Sequence, residues 1–491
     1  MTRQRITLIH HPTVALKVSG FSTEALRSFN ESGIYLGNVY RRIMPASLPR
    51  VASVMERHLP VDVRILDLRI AGCDQETTYN SVNWEGYNVE VKRVGGAFEL
   101  AGPAIEESDW VGFSSHFTYE SGVVRDLIRY AKQLKPSVKV MVGGADVKAR
   151  PMDYLRFGAD LVCTGDFNPE AISSHTQPTI AGQYRHPFGE MIAPAFEKLE
   201  RLMDYSDSHD GPVPDGVDFP IGFLHFTRGC PRECDFCESR RTKFEVMVQD
   251  AAIEMIENYR AAGIKSLNFA DDNLLLLAAT RDGRKRLIEL FQVMRGMGFA
   301  WEFPNGLEIG RLMVSGHLDD ELIDAMFTHT VHPDTGSLVG AYRLYAPLET
   351  FDQRDRYSKL KPVEIQNSII SRLAATGLPE IDFGVVIPPD ADLDTFLNIA
   401  VGYREIRSMV ERNGNSRARY ALFHLIPIAL YRDMHTKYSV DEFPEGWNFY
   451  FPVYDGTHLS ARELFEHRLR VVQEIDHANF ASMAAGKYSY S

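Results

Sequence analysis

Residues 226–237 read Phe-Thr-Arg-Gly-Cys-Pro-Arg-Glu-Cys-Asp-Phe-Cys and place three of the five cysteines within eight positions. Thiolates are soft, anionic ligands, and they suit iron–sulfur clusters. Three thiolates on one loop, from Cys230, Cys234 and Cys237, can bind three irons of a 4Fe–4S cubane and leave the fourth iron open to another molecule. The spacing therefore predicts a 4Fe–4S cluster with one iron that has no protein ligand.

Two other uses of these cysteines remain open from the residues alone. A structural zinc ion normally has four ligands in two spaced pairs, and here only His225 stands close to the three cysteines. A non-enzymatic iron–sulfur sensor or electron carrier would need a fourth cysteine ligand. The two remaining cysteines, Cys73 and Cys163, lie far away in the sequence and are interpreted as buried small hydrophobic residues.

The cysteine segment follows the first strand of a long alternation of strands and helices. Short apolar runs predict strands at 221–226, 266–269, 299–303, 338–345, 381–387 and 420–426. Helical patterns lie between them, at 249–262, 284–297, 319–327, 362–375 and 393–410. Six such units predict a partial (β/α)6 barrel, whose chemistry is expected at the carboxyl ends of the strands.

A second alternation precedes the barrel. Val- and Ile-rich runs predict strands at 6–11, 61–68, 109–116, 138–142 and 159–163, with helices at 47–58, 122–134 and 151–157. Serial βα units form a parallel sheet, so an α/β doubly wound domain is expected here. Residues 72–105 are interpreted as an irregular polar insertion. Gly143-Gly144, after the fourth strand, fits either an ordinary βα turn or a cofactor site at the edge of the sheet.

Composition shifts divide the chain into four parts. They are an N-terminal domain (1–190), a linker (191–220), the barrel (221–430) and a C-terminal cap (431–491). The cap contains an aromatic stretch at 442–454 and one more helix at 460–475. Its aromatic side chains, Trp447, Tyr450, Phe451 and Tyr454, are expected to cover the barrel mouth.

The overall charge narrows the class of partner. The 491 residues carry a formal net charge of −13, which argues against binding to nucleic acid or to an anionic membrane surface. The start of the chain has no long apolar run, and no segment is apolar enough to span a bilayer. A cytoplasmic protein with a small-molecule substrate, and with neither a nucleic-acid nor a membrane partner, is therefore expected.

The cysteine segment resembles the cluster loop of the radical S-adenosylmethionine (radical SAM) superfamily, in which an aromatic residue, here Phe236, precedes the third cysteine. The resemblance covers roughly residues 221–426. In that superfamily the open iron chelates S-adenosylmethionine, and one electron cleaves its sulfonium to a 5′-deoxyadenosyl radical that abstracts a substrate hydrogen. The resemblance implies a low-potential reducing partner, such as flavodoxin or ferredoxin.

Two further motifs carry the resemblance to the radical SAM barrel. Asp271 and Asp272, in Asp-Asp-Asn after the second barrel strand, stand where the superfamily places a polar motif near the methionine amine. Glu349, in Leu-Glu-Thr after the fourth strand, stands where a glutamate holds the ribose hydroxyls. Family members usually flank that glutamate with glycines, whereas Ala346-Pro347 and Phe351 stand here. From the residues alone, each motif also fits a polar turn at a strand end.

The first 190 residues resemble the cobalamin-binding domain that precedes the barrel in one large radical SAM subfamily. The matching features are the five-strand order, Ser114-Ser115, Gly143-Gly144 and Thr164-Gly165-Asp166. The resemblance implies that Ser114, Gly143 and Gly144 contact cobalamin. The Asp-x-His-x-x-Gly motif of other cobalamin proteins is absent, as it commonly is in this subfamily. Phe167 replaces a glycine common in the family, so the occupancy of the site is left open.

Cobalamin decides between the reactions that the resemblance implies. With cobalamin, the expectation is methyl transfer to an unactivated carbon of a small, natural-product-like substrate, as in antibiotic biosynthesis. Without it, the radical could drive dehydration or isomerisation (a lyase-type reaction) of an aminoglycoside-like sugar. The cofactors would carry the difficult chemistry while the protein positions the substrate and excludes water. No residue can be assigned as a catalytic acid or base from the sequence.

Overall fold

The computed structural model describes residues 3–37, 42–182, 184–188, 192–208, 211–234, 237, 239–351, 363–424 and 436–485. The described residues fall into two compact units. The first unit contains residues 3–205, 436–454 and 482–485, and the second contains 206–424 and 455–481. The boundary after Tyr205 falls inside the segment interpreted as a linker.

The first unit is built on a parallel sheet. Its strands are β1 (Gln4–His10), β2 (Thr13–Ser19), β3 (Ile34–Leu36), β4 (Val61–Asp67), β5 (Glu76–Trp84), β6 (Tyr87–Val94), β7 (Trp110–Ser114), β8 (Lys139–Gly143), β9 (Leu161–Cys163) and β10 (Thr179–Ala181). Six of these strands form a parallel sheet in the order β10-β9-β8-β7-β1-β4. The order reverses at β1, which lies between β4 and β7. The expected doubly wound sheet is confirmed.

Helices follow most strands of the first unit. They are α1 (Glu24–Arg27), α2 (Leu48–His58), α3 (Leu68–Ala71), α4 (Gly102–Glu107), α5 (Ser121–Leu134), α6 (Ala145–Ala149), α7 (Pro151–Phe157) and α8 (Pro169–Ser173). In α5 the buried residues include Val124, Leu127, Ile128 and Ala131, at the three- and four-residue spacing of a helix face.

The expectation of an irregular insertion at 72–105 is wrong. Strands β5 and β6 form a hairpin there, within an antiparallel sheet of order β3-β2-β6-β5. Glu85 and Gly86 connect the two strands with positive φ values of 50° and 85°, as a two-residue hairpin turn requires. Nearly all of β5 is polar and exposed, so the alternation that reveals a half-buried strand is present only in β6.

The second unit contains the barrel. Its strands are β11 (Ile221–Leu224), β12 (Thr227–Arg228), β13 (Glu245–Val246), β14 (Ser266–Phe269), β15 (Ala300–Phe303), β16 (Met313–Val314), β17 (His317–Leu318), β18 (His329–Val331), β19 (Leu338–Glu349), β20 (Glu380–Ile387) and β21 (Arg417–His424). Six strands pair in parallel in chain order, β11-β14-β15-β19-β20-β21, and β18 adds an antiparallel strand to β19. The expected six-unit partial barrel is confirmed.

Helices of the second unit begin where capping residues stand. They are α9 (Gln249–Ala261), α10 (Arg281–Gly296), α11 (Asp320–Phe327), α12 (Val363–Ala374), α13 (Leu393–Asn413), α14 (Ala461–Ile475) and α15 (His477–Ala484), the last of which continues into the first unit. Thr280, Asp319 and Asp392 each accept a backbone hydrogen bond at a helix start. The proposed start of a helix at Pro362 lies outside the described residues.

A buried ion network crosses the barrel strands. Arg343 is 1% exposed and pairs with Glu302 at 3.2 Å and with Glu380 at 2.5 Å. Arg419 reaches the same Glu380 carboxylate at 3.3 Å, and Ser208 hydrogen bonds to Arg343 at 2.7 Å. Buried charges require such partners, so the network constrains how β15, β19, β20 and β21 align.

The C-terminal residues do not form one cap. Residues 436–454 belong to the first unit, where Phe451 meets Trp84 at 4.6 Å between ring centroids and Phe449 meets Phe117 at 6.1 Å. Helix α14 belongs to the second unit, where Arg468 donates to the carbonyl of Leu422 at 2.7 Å. Aromatic composition alone does not indicate which apolar surface a segment covers, which is why the sequence misassigned this stretch.

Candidate active site

The cysteine loop leaves the barrel through a short antiparallel ribbon. Strand β12 pairs with β13, with Thr227 opposite Val246 and Arg228 opposite Glu245. Arg228 and Glu245 also form an ion pair at 2.9 Å across the ribbon. The ribbon brings the two ends of the loop together, so residues 229–244 form a closed excursion from the end of the first barrel strand.

Backbone and hydroxyl contacts fix the amino-terminal part of this loop. Gly229 has φ +85°, and a Cβ there would lie 2.1 Å from the carbonyl oxygen of Lys243. Only glycine fits that position. Cys230 N donates to Thr242 Oγ1 at 2.8 Å, and Thr242 N donates to the carbonyl of Cys230 at 2.9 Å. The first cysteine is therefore held by the protein's own hydrogen bonds.

The two predicted carboxylates, Asp271 and Asp272, hold the cysteine loop against the end of β14. Asp271 Oδ1 accepts hydrogen bonds from Thr227 N, from Thr227 Oγ1 at 2.7 Å and from Phe226 N at 3.0 Å. Asp272 accepts one from Gly229 N at 2.6 Å and one from Ser239 Oγ. Burial raises the pKa of Asp271 to about 7, and its Oδ2 has no hydrogen-bond partner in the described part of the chain.

A second polar group adjoins Cys230. Asn273 Nδ2 lies 3.6 Å from Cys230 Sγ and 3.1 Å from Glu308 Oε2. Glu308 also binds the guanidinium of Arg232, from the cysteine loop, and that of Arg311 at 3.2 Å. Burial alone would raise the pKa of Glu308, but the hydrogen bonds from Arg232 and Asn273 lower it. The sequence did not single out Glu308, whose partners come from three separate segments.

The donor set fits an iron–sulfur cluster. Cys230 is buried, whereas Cys234 and Cys237 are half-buried, and Cys237 N donates to the carbonyl of Cys234 at 3.1 Å. No three His, Cys, Asp or Glu side chains among the described residues stand in the geometry of a metal site. The fit therefore rests on three soft ligands on one anchored loop. Phe236 lies outside the described residues.

Glu349 ends the fourth barrel strand, β19, in a strained conformation. Its φ is +65°, and it is 5% exposed. The register of β19 shifts between Pro347 and Glu349, at the residues where the expected flanking glycines are missing. A non-glycine residue with positive φ costs free energy and often marks a functional position. Because the barrel strands are parallel, Glu349 and Asp271 end on the same edge of the barrel, although no described contact joins them.

At the carboxyl edge of the first unit's sheet, the predicted cobalamin residues come together. Ser114 and Gly143 end β7 and β8 and lie opposite each other in the ladder. Gly144 follows with φ +123°, and a Cβ there would lie 2.1 Å from the carbonyl oxygen of Ser115. The Tyr154 hydroxyl lies 2.7 Å from Ser115 Oγ and donates to Asp146 at 2.6 Å. These contacts press the loops after β7 and β8 against each other.

Comparison with known proteins supports both halves of this arrangement. Residues 34–171 match the B12 binding domain family. In structure, the chain is similar to the cobalamin-dependent S-adenosylmethionine radical enzyme OxsB with aqua-cobalamin bound (TM-score 0.52, 12% identity, 81% of this chain and 52% of that chain). It is also similar to the radical S-adenosylmethionine methyltransferase TsrM from Kitasatospora setae with tryptophan and a SAM analogue bound (0.53, 13%, 86% and 73%). The chain is a B12-binding protein with the radical SAM fold.

A curated relative and a further solved structure extend the comparison. Cytidylyl-2-hydroxyethylphosphonate methyltransferase from Streptomyces wedmorensis is 23% identical over 369 residues, which are 63% of this chain and 62% of that protein. The chain thus spans less than two thirds of that relative. A second TsrM structure, with TM-score 0.50, holds cobalamin and a [4Fe–4S] cluster. The solved structures with this fold therefore hold the three cofactors expected from the sequence.

Phe167 does not obstruct the edge of the B12-binding domain as its bulk suggested. It is 8% exposed, so its ring is packed into the protein. The neighbouring Asp166 N donates to the carbonyl of Tyr184 at 2.8 Å, and Asp166 Oδ2 accepts from His186 N at 2.8 Å. This loop takes its shape from contacts that a glycine would not need, so the departure from the family pattern leaves the site intact.

The sequence missed a buried charge cluster beside β1 and β4 of the B12-binding domain. His10 Nδ1 lies 3.1 Å from Asp67 Oδ2, and His11 Nε2 lies 3.6 Å from Glu120 Oε2. Arg69 adds a contact to Glu120 at 3.2 Å. Burial alone would raise the pKa of Glu120, but His11 and Arg69 lower it well below its usual range. The histidine pair at the end of the first strand was the available sequence signal.

The remaining cysteines and helices agree with the expectations from sequence. Cys73 and Cys163 are both buried, and burial raises the pKa of Cys163 to about 11. Throughout the described ranges, every helix is too short or too polar to cross a lipid bilayer.

Proposed function

We propose that this protein is a cobalamin-dependent radical SAM methyltransferase that methylates carbon in a small, natural-product-like molecule. One observation carries the proposal: a B12-binding domain and a barrel with a three-cysteine loop occur in one chain. The curated relative and TsrM are both methyltransferases, which favours methyl transfer over dehydration or isomerisation. When bound, the cluster would supply the electron that cleaves S-adenosylmethionine, and cobalamin would carry the methyl group.

The protein's own residues would bind and shield these cofactors. Cys230, Cys234 and Cys237 would ligate three irons. Asp271 and Asp272 would hold the loop in place through the hydrogen bonds described above rather than by contacting the methionine amine. Glu349 would accept hydrogen bonds from the ribose hydroxyls of S-adenosylmethionine. A low-potential carrier of the flavodoxin or ferredoxin type would supply the electron.

In the B12-binding domain, Ser114, Gly143 and Gly144 would form the surface on which cobalamin lies. In open parallel sheets, ligands bind at the carboxyl ends of the strands where the strand order reverses, here beside β1 and β7. Glycines at this edge let the backbone approach a large planar ligand closely.

The first test uses anaerobically purified and reconstituted protein. Bound iron, sulfide and cobalamin are quantified, and then 5′-deoxyadenosine and methylcobalamin are measured after addition of S-adenosylmethionine and dithionite. We expect about four irons and one cobalamin per chain, together with both products. These readouts need no knowledge of the substrate. Deoxyadenosine without cobalamin retention, even after supplementation, would exclude methyl transfer by this route and favour a radical dehydratase or isomerase.

Cysteine variants provide the matched control. The triple variant C230A/C234A/C237A is expected to lose the cluster and deoxyadenosine formation while it retains cobalamin. The double variant C73A/C163A removes the two buried cysteines of the first unit and is expected to keep its cluster. Retention of a full cluster in the triple variant would show that the ligands lie elsewhere. A cluster with S-adenosylmethionine present but no deoxyadenosine would indicate a non-enzymatic iron–sulfur protein.

A further inference from the structure

Asn273 places an amide beside the first cysteine of the loop. It follows Asp272 at the end of the second barrel strand and is 6% exposed. Its Nδ2 has two contacts, Cys230 Sγ at 3.6 Å and Glu308 Oε2 at 3.1 Å. A side-chain amide carries two N–H donors on this nitrogen, so one can point to each acceptor.

The orientation of the amide follows from its partners. The sulfur of a ligating cysteine and the carboxylate of Glu308 are both acceptors. A flipped amide would turn Oδ1 towards both of them and gain no hydrogen bond. In the described orientation Oδ1 has no partner among the described residues, but both N–H groups are used. Glu308 thus fixes the direction in which Asn273 donates to the sulfur.

The surroundings of this contact are positively charged on the loop side. Arg232 lies on the cysteine loop and is held by Glu308. The pKa of Arg232 is raised, chiefly by its hydrogen bond to Glu308 and also by the thiolates of Cys230 and Cys234. The guanidinium is therefore close enough to both cysteines to interact with their charge.

We propose that Asn273, oriented by Glu308, sets the reduction potential of the cluster by donating a hydrogen bond to the sulfur of Cys230. The inference rests on the proposed function, because it assumes that Cys230 ligates the cluster. Reduction adds one electron, supplied by a low-potential one-electron donor, and increases the negative charge on the cysteine sulfurs. An N–H donor stabilises the reduced form more than the oxidised form, and the potential rises. Asn273 is a positioning residue: it transfers no atom.

The inference is tested by potentiometric titration of the reconstituted protein, with the reduced cluster detected by electron paramagnetic resonance. Asn273→Leu removes the donor and keeps the size of the side chain. We expect its midpoint potential to fall by an amount equivalent to a tenfold change in the reduction equilibrium, about 59 mV for one electron. If the leucine variant does not load a cluster, Asn273→Ala gives the same measurement with a smaller side chain.

Two further variants separate a local effect from general disturbance. Asn305 is the matched control, because its amide donates to the carbonyl of Ala270 at 2.9 Å and has no contact with sulfur. Asn305→Leu should leave the potential unchanged. Glu308→Gln keeps an acceptor for Asn273 but removes a negative charge near the cluster, so its potential should rise. Shifts of opposite sign at Asn273 and Glu308 would not follow from simple loosening of the loop.

Electron–nuclear double resonance gives an independent readout. The reduced wild-type cluster should show an exchangeable proton coupling that disappears after exchange into deuterated water and is missing in Asn273→Leu. Equal potentials and identical proton couplings in wild type and Asn273→Leu would overturn the inference while leaving the proposed function intact. Failure of the wild-type protein to bind any cluster would instead count against the proposed function.

Discussion

The edges of the two parallel sheets differ in how they are prepared for a cofactor. At the edge of the B12-binding domain the surface consists of backbone and glycine, and the nearby charges are buried in pairs such as His11 with Glu120. At the edge of the barrel, side chains provide the contacts: three thiols, two carboxylates and an amide around one loop. A large planar cofactor is received by shape, whereas a cluster is held by ligands. Single substitutions should therefore act differently at the two edges.

The largest effect is expected from Gly229→Ala at the base of the cysteine loop. Its Cβ would lie 2.1 Å from the backbone oxygen of Lys243, at φ +85°. Backbone atoms on both sides cannot move without opening the loop, so we expect loss of most of the bound iron, measured per chain after reconstitution.

Gly263→Ala is the control for Gly229→Ala. Gly263 lies in the same unit at φ +91°, but nothing stands within 4 Å of its Cβ position. It has the same conformational strain, about 1 kcal/mol, without the clash. We expect a full complement of iron in this variant. Equal iron contents in the two alanine variants would show that backbone closure at Gly229 does not matter for the cluster.

Gly144→Ala should break the other edge. Its Cβ would lie 2.1 Å from the carbonyl oxygen of Ser115, so the loops after β7 and β8 must separate. We expect at least a 100-fold loss of cobalamin affinity, about 3 kcal/mol, measured by equilibrium dialysis or absorbance titration. The iron content should not change, because the cluster ligands lie in the second unit.

Gly158→Ala is the control for Gly144→Ala. Gly158 has φ +110°, and the nearest atom to its Cβ position is Ile128 Cγ2 at an ordinary distance of 3.6 Å. Its cobalamin affinity should remain within a few-fold of wild type. Normal cobalamin binding by Gly144→Ala would mean that the glycine pair is an ordinary βα turn, the alternative that the sequence left open.

Buried carboxylates provide a second contrast between the edges, and Asp271 gives its larger effect. Burial raises the pKa of Asp271 to about 7, so the folded state binds a proton more tightly than the unfolded chain. Stability then falls as pH rises from about 4 to about 7 and is flat above. Asp271→Asn keeps an acceptor for Thr227 and cannot ionise. We expect the variant to gain about 2 kcal/mol over wild type between pH 4 and 8.

This difference is measured on the apo-protein by urea unfolding at several pH values, with a probe in the second unit. Asp324→Asn, at an exposed carboxylate of α11 paired with Arg372, serves as the control and should show no such gain with pH. A constant difference between wild type and Asp271→Asn at all pH values would mean that Asp271 ionises normally.

The sequence predicted the strand-and-helix order well because the signals were local. Apolar runs marked β1, β4 and β7–β9, and all six barrel strands, to within a few residues. The hairpin β5–β6 was missed because its outer strand is polar, and the aromatic stretch 442–454 was misassigned because partners distant in sequence decide where it packs.

The candidate site shows the same division between local and distant information. The cysteine spacing, the glycine pair and the Asp271–Asp272 motif are contiguous, and each proved to lie at a strand end. The contacts of Asn273, Glu308 and Arg232 join three segments that are 35 to 76 residues apart, so no motif contains them. Which atoms the carboxylates of Asp271 and Asp272 bind also depends on the folded loop, and the sequence pointed to the cofactor instead of the loop backbone.

The smallest effect is expected from Glu120→Gln at the edge of the B12-binding domain, and its pH dependence should be opposite to that of Asp271. Because His11 and Arg69 lower the pKa of Glu120, the folded state binds its proton less tightly than the unfolded chain. The stabilisation is therefore present above about pH 4.5 and is lost as pH falls. Removal of the charge leaves Arg69 with a weaker partner, so we expect a loss of about 1–2 kcal/mol at pH 7.

The two carboxylates together decide whether the contrast between the edges holds. The stability difference between wild type and Glu120→Gln should shrink towards pH 3, whereas that for Asp271→Asn should shrink towards pH 4 and widen with rising pH. Glu107→Gln, at an exposed carboxylate of α4, controls for a general charge effect and should be neutral within about 0.5 kcal/mol. If Glu120→Gln stabilised the protein at pH 7, the paired charges would be a cost to folding, and the B12-binding edge would resemble the barrel edge in holding a carboxylate against its ionisation.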